Sequence, residues 1–425
     1  MATSNTQKIK LIDGWIEGCG DFLKDLHDFS NEHVDQRRFK GDDLVKAAGV
    51  SSLTTIYKAQ TEGRLPPPDL NEKNRRLGAT LEQVLEMQRY FKTSPSPLPG
   101  EEPQIISFTN FKGGCYKSTT AQYAGSYFAN KGFKVLLVDL DPQATLTMSV
   151  GLFPDIDSSF DTSMAPYILD LEGAPADEVR TVVKKTYLPN MDIIPSALEL
   201  ASVEFDLTNE TMEARNADDL EWLASIFYRV KNVLEELKGD YDIIILDGTP
   251  SLGLLPLNII LGSDTVIVPV PTEPADFAST RSFAKLYRQQ VEILNTAFGE
   301  TLTFPDMKFL PTRYSPSEHN ATVSSKEILE AIRETFGSSC FDTVIRKHEA
   351  VVSNLSFFRR TVFDVNPGDC NVSRDARKKA IANFSTVFDE ILEKVIYPKW
   401  ESKKRMLEAK REAELAMLEE KGIVQ

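Results

Sequence analysis

Between residues 105 and 312, short unbroken apolar runs alternate with stretches of helical spacing. IISF at 105–108 leads through a helical segment, Lys117 to Lys131, into KVLLVDL at 134–140. Strand, helix, strand in so short a stretch predicts a βαβ unit, because parallel neighbours need a crossover. Further runs begin at 191 (MDIIP), 241 (YDIIILD), 264 (DTVIVPVP) and 307 (MKFLPTRY), with helical spacing between them. Together they predict one doubly wound α/β domain with a mostly parallel sheet.

Upstream the pattern is helical. Leu11, Trp15, Phe22, Leu26 and Phe29 form a stripe at helical intervals that needs a partner surface. Leu44, Val45 and Ala48, a turn at Gly49, then Ser51 or Ser52 as N-cap of a second helix reaching Glu62 have helix-turn-helix spacing. TSPSPLPGEEP at 93–103 reads as a stiffened linker. From about Lys399 the tail carries both charge signs on every face, which predicts an exposed helix. The expected division is therefore an N-terminal helix (1–35), a small helical domain (36–92), the linker (93–103), the α/β domain (104–398) and a charged C-terminal helix (399–425).

Charge sharpens this division. The chain of 425 residues has a net charge of −15, so any binding to phosphate backbones must be local. From His33 to Lys92, however, eleven Lys and Arg face eight Asp and Glu. A basic island in an acidic chain suggests a DNA-contacting module, with a solvated protein-binding module as the alternative. Cys19, Cys115, Cys340 and Cys370 have no paired short spacing, which argues against a zinc ribbon, a CxxC motif or a disulfide framework and points to a reducing cytoplasm. No uninterrupted apolar stretch suggests a leader or a membrane span.

FKGGCYKSTT at 111–120 lies between a predicted strand and a predicted helix. Gly113 and Gly114 let the backbone approach phosphate, Lys117 can meet the outer phosphates, and Ser118 can offer a hydroxyl to Mg²⁺. Phe111 and Tyr116 stand at the two glycine positions of the general phosphate-loop pattern. The residues alone therefore leave two readings, a triphosphate site and a glycine-rich turn.

KGG ahead of KST, VDLDPQAT at 138–145 and IIILDGTPSLG at 243–253 together resemble the deviant Walker ATPases of the ParA/MinD group. The resemblance covers residues 103 to 395 and implies a P-loop NTPase fold, ATP/ADP and Mg²⁺ as cofactors, and a nucleotide-sandwich homodimer. It implies that Lys112 reaches the partner's phosphates, with Gly113, Gly114, Cys115, Tyr116, Lys117, Ser118 and Thr119 cradling the nucleotide. Asp139 would align or activate water, and Asp141, Asp247 and Ser118 would hold Mg²⁺. Asn258 and the run from Thr272 to Asp276 are expected beside the base, and Cys115 is expected as buried filler. Tyr116 stands where the family has glycine, and Gly248-Thr249-Pro250 replaces its Pro-Pro.

The helix-turn-helix, joined to such an ATPase, is similar to the N-terminal domain of long partition ATPases and of RepA proteins of repABC replicons. Ser52, Thr54, Thr55, Tyr57 and Lys58 are then expected to face DNA, and Lys73, Arg75 and Arg76 to tip a wing. Arg346, Lys347, Arg359, Arg360, Arg374, Arg377, Lys378 and Lys379 are expected to supply nonspecific DNA affinity. The resemblance implies an N-terminal helix that dimerises, operator autorepression, a ParB-like partner that stimulates hydrolysis, and a place on the bacterial nucleoid. Two other readings stay open: an ATP-gated repressor with little turnover, and a MinD-like ATPase on a membrane.

Overall fold

A computed structural model describes residues 5–32, 36–110, 112–154, 156–169, 175–251, 253–299, 302–315 and 324–409. Seven strands form one sheet: β1 (Gln104–Phe108), β2 (Val135–Asp139), β3 (Lys184–Lys185), β4 (Met191–Ile194), β5 (Ile243–Asp247), β6 (Thr265–Pro271) and β7 (Asp306–Thr312). Their spatial order is β3-β4-β2-β5-β1-β6-β7. Every pairing is parallel except β3 with β4. Strands β1, β2, β4, β5 and β6 are buried along their whole length. Helices cover both faces of these strands, which is why their sequences read as continuous apolar runs without alternation. The doubly wound fold expected from the sequence is the one observed.

Ahead of the sheet lie α1 (Asn5–Glu32), α2 (Gly41–Ala48), α3 (Leu53–Thr61) and α4 (Leu81–Phe91). Gly49, at φ 65°, ends α2 in the left-handed conformation that glycine adopts without strain. Thr80 and Gln83 form a reciprocal capping box on α4. Backbone bridges Phe39–Ala79 and Leu70–Arg76 close the segment between α3 and α4, where the sequence leads one to expect a wing. On α1, Ile9, Leu11, Trp15, Ile16 and Phe22 are each more than half exposed, so the predicted stripe has no partner within the described chain. The side chains of Leu26 and Phe29 lie outside the described residues.

Two expectations change. The segment 93–103 is no free tether, because Ser96 Oγ donates to Asp242 Oδ2 at 2.7 Å and the Glu102 carbonyl accepts from Trp400 Nε1 at 2.7 Å. One apolar cluster runs from Phe39 and Val84 through Tyr123 and Phe384 to Trp400, so the two folded units share a core. Gln88 joins them, its Nε2 donating to Ala47 O at 2.7 Å and to Lys131 O at 2.9 Å. The C-terminal helix is also docked: Trp400 is fully buried against Phe133, Leu407 is buried, and Ser402 bonds to Glu101. Its charges mask two apolar anchors, and residues 410–425 lie outside the described part.

Candidate functional site

Strand β1 ends at Phe108 and α5 (Lys117–Lys131) begins nine residues on, after the glycine-rich turn. Gly113 and Gly114 are exposed, and a Cβ built on either would meet nothing within 4 Å, so the mouth of the turn is open. Gly114 and Tyr116 both have φ of 73°. For tyrosine this left-handed geometry costs about 1–2 kcal/mol, and the ring rests 5.8 Å from the Arg313 guanidinium. Cys115 is buried with its Sγ on the Lys112 carbonyl at 3.1 Å, and burial pushes its thiol up, as inert filler requires. Lys117 is buried and its Nζ donates to the same carbonyl at 3.1 Å. Ser118 and Thr119 are half-buried at the start of α5. Phe111 lies outside the described residues.

Behind the turn, Asp139 and Asp247 face one another in register at the ends of β2 and β5, both fully buried. Burial pushes the Asp139 carboxyl up to about 7. Asp247 is raised well above the usual carboxylate range, first by burial and then by Asp139 beside it. Both Asp247 oxygens lack a hydrogen-bond partner. A buried carboxylate with two unfilled acceptors, beside Ser118 and the Lys117 charge, fits a site completed by a cation. Among the described residues no three His, Cys, Asp or Glu side chains converge as a metal cage.

Asp139 is already engaged. One oxygen accepts Asp141 N–H at 3.1 Å, and the other accepts Thr147 N–H at 2.8 Å and Thr147 Oγ1–H at 2.7 Å. It anchors the strand end to α6 (Thr145–Ser149). Asp141 uses Oδ1 to accept Gln143 N–H at 3.0 Å.

The expected base neighbours also change. Asn258 is fully buried on helix Leu254–Leu261, where its amide donates to Ile226 O and Leu254 O and accepts from Val230 N–H. It stitches helices together and has no edge left for a base. Thr272 is buried and shares a hydrogen bond with Ser325 Oγ at 2.7 Å. Asp276, expected near the base, instead pairs with Lys112.

In the segment expected to be a helix-turn-helix, Thr54 and Lys58 are exposed on α3, and Ser52 Oγ lies 3.2 Å from Thr55 Oγ1. Lys73 and Arg75 are exposed in the turn between Leu70 and Arg76, where Asn71 Oδ1 accepts both of their backbone N–H groups. Arg76 lies over the Tyr57 ring at 3.8 Å and bonds to Gln60, tying its turn to α3. The third basic group divides. Arg346, Arg374, Lys378 and Lys379 are exposed, Lys379 pairing with Asp375. Lys347 pairs with Glu349, and Arg360 lies over the Tyr187 ring at 4.1 Å. Arg359 is a correction, being buried over the Phe153 ring at 4.0 Å. So is Arg377, which is half-buried and donates to Val365 O at 2.6 Å. Neither is placed to grip a backbone phosphate.

Residues 103–298 match a family model described as an AAA domain. The chain is 31% identical to Protein SopA of Escherichia coli K12 over 86% of this chain and 90% of that one. It is 28% identical to a putative replication protein A of Rhizobium rhizogenes, over 86% and 88% of the two chains. The chain belongs to the ParA-type partition ATPase family. A solved "Partition Protein" shares the fold over 90% of this ParA-type chain and 98% of its own, with a TM-score of 0.59 at 17% identity. A match of that extent takes in residues of both folded units.

Reasoning from sequence missed three residues of this ParA-type site. Thr147 holds Asp139, eight residues away. Glu204 accepts the backbone N–H groups of Leu254 and Leu255 at the start of the helix after β5. Arg313 reaches Tyr116 and Glu273 across long sequence separations. The Thr147 contact has a local signal, a threonine two residues into a helix behind a strand-end aspartate. The other two have none.

Proposed function

We propose that this ParA-type chain is a DNA partition ATPase that hydrolyses ATP to ADP and phosphate as a Mg²⁺-dependent homodimer. The observation that carries the reading is the fully buried Asp247, with two unpartnered oxygens, beneath an open glycine turn and the buried Lys117. Ser118 and Asp247 would hold Mg²⁺, and the turn from Gly113 to Thr119 would cradle the phosphates. Asp141, rather than Asp139, takes the water-aligning role, because Asp139 has both oxygens engaged by the fold. Lys112 supplies a second cation to the phosphates.

Support for the DNA role comes from exposed Thr54, Lys58, Lys73 and Arg75 on the recognition helix and wing, which suit an operator. Exposed Arg346, Arg374 and Lys378 suit nonspecific backbone binding by the ATP-bound dimer. A ParB-like partner then stimulates turnover, and the cycle carries a low-copy replicon along the nucleoid of a bacterial cytoplasm. The same chain represses its own operon through the winged domain.

Tyr116 favours a second reading, an ATP-gated repressor with little turnover, since a bulky left-handed residue stiffens the turn that must wrap phosphate. The membrane alternative has no such support. It would need an amphipathic C-terminal helix, and on the described part of that helix Trp400 and Leu407 turn inward.

Turnover of the purified chain, alone, with DNA and with its cognate ParB-like partner, tests the reading. Slow turnover that rises with both and drops at least about 100-fold in Asp141→Ala is the expected result. Turnover equal to that of the variant in every condition selects the repressor.

A further inference from the structure

Lys112 does not point into the open turn. Its Nζ is paired with the carboxylate of Asp276, in the first turn of helix Pro274–Phe298. The two ends of the pair differ: the Asp276 side chain is 4% exposed and that of Lys112 is 38% exposed. A buried anchor therefore holds a lysine that can swing outward.

The anchor is fixed from several sides. Thr280 Oγ1 donates to the Asp276 carbonyl at 2.9 Å, securing the first turn. Asn110 Nδ2 donates to Pro269 O at 2.8 Å and Asn110 Oδ1 accepts Lys112 N–H at 3.2 Å, tying the backbone of the turn to β6. The helix bearing Asp276 follows β6 directly. Backbone and side chain of Lys112 are thus both referred to the same strand–helix junction. Meanwhile its carbonyl accepts Lys117 Nζ and Cys115 Sγ–H, so both lysines of the turn are satisfied within the chain.

We propose that Asp276 is a positioning residue of the ATPase cycle, a latch that holds Lys112 within its own subunit and yields it only to the triphosphate of the closing dimer. The proposal rests on the ParA-type reading of the turn given above. Moving Lys112 away leaves a buried carboxylate without its cation, which is costly. A triphosphate with Mg²⁺ is dense enough in charge to take the lysine by charge-assisted hydrogen bonds. Since only differential affinity shifts a two-state equilibrium, the strength of the Asp276 pair sets how much nucleotide is needed to close the dimer.

Asp276→Asn keeps the shape and removes the charge, and Asp276→Ser serves if the amide does not fold. The full chain is titrated with Mg²⁺ and ATP while dimerisation is followed by sedimentation velocity, with turnover and melting temperature measured in parallel. The expected result is half-maximal dimerisation at roughly tenfold lower ATP, a coupling of ordinary size for a charged pair in contact. Turnover without DNA or partner rises, and the fold-stimulation by both falls. Lys112→Met abolishes the gain when combined with Asp276→Asn, because there is no longer a lysine to release. Wild type that dimerises and hydrolyses, with Asp276→Asn matching it or closing only at higher ATP, overturns the latch alone. Wild type that does neither overturns the ParA-type cycle and the latch with it.

Discussion

Asp139 and Asp247 stand opposite one another on neighbouring strands, both fully buried, yet the structure treats them differently. Asp139 is satisfied by three donors, whereas Asp247 has none for either oxygen. One carboxylate holds the rim together and the other is left for the cation proposed above, a division of labour that identical residue types cannot announce. Thr147 decides it, donating its hydroxyl to Asp139 Oδ2 at 2.7 Å and accepting Ser196 N–H at 2.9 Å. Thr147→Val, which keeps the shape and loses both bonds, is expected to cost about 2–3 kcal/mol of stability in urea unfolding. Turnover should fall less in Thr147→Val than in Asp141→Ala. A larger loss of turnover than of stability would place the threonine in the chemistry instead.

Helix α5 links the two halves of the chain. Its first turn carries Lys117 and Ser118 at the glycine turn, and its last carbonyl, that of Lys131, accepts from Gln88 on α4. Gly132, at φ 112°, leaves room for this contact, since a Cβ there would sit 2.1 Å from Gln88 Oε1. The end of α2 meets the same amide through Ala47 O. Gln88→Leu strips a buried donor from both helix ends and is expected to cost about 2–4 kcal/mol. Faster limited proteolysis within residues 93–103, with ATP binding retained, would show that this amide is what fastens the N-terminal helical unit to the α/β domain. Unchanged cleavage would assign the fastening to the apolar contacts alone.

At the scale of the whole molecule, the segment 93–103 and the C-terminal helix form one docked layer. Trp400 is its keystone, fully buried with Nε1 on Glu102 O and its ring 5.9 Å from Phe133. Trp400→Ala should cost about 3–5 kcal/mol and release the linker to protease; a loss below about 1 kcal/mol in chemical unfolding would make the layer superficial. Six of the seven strands, their order of appearance and the glycine turn were legible in the sequence, because a strand buried on both faces must be apolar throughout and a tight turn must carry glycine; β3 was not, since Lys184–Lys185 is a two-residue edge strand of charged residues with no apolar run. The carboxylates at the strand ends were legible for the same reason, since polar residues interrupt such runs only at the rim. Roles within the site were not. Whether Asp139 is spent on Thr147, whether Asn258 faces a base or three backbone groups, and whether Arg359 meets solvent or Phe153 all depend on partners brought together by packing. The Lys112–Asp276 pair, 164 residues apart in sequence, is the extreme case. Periodicity along a chain records which face is buried, and only the tertiary fold decides which polar group each buried charge will meet.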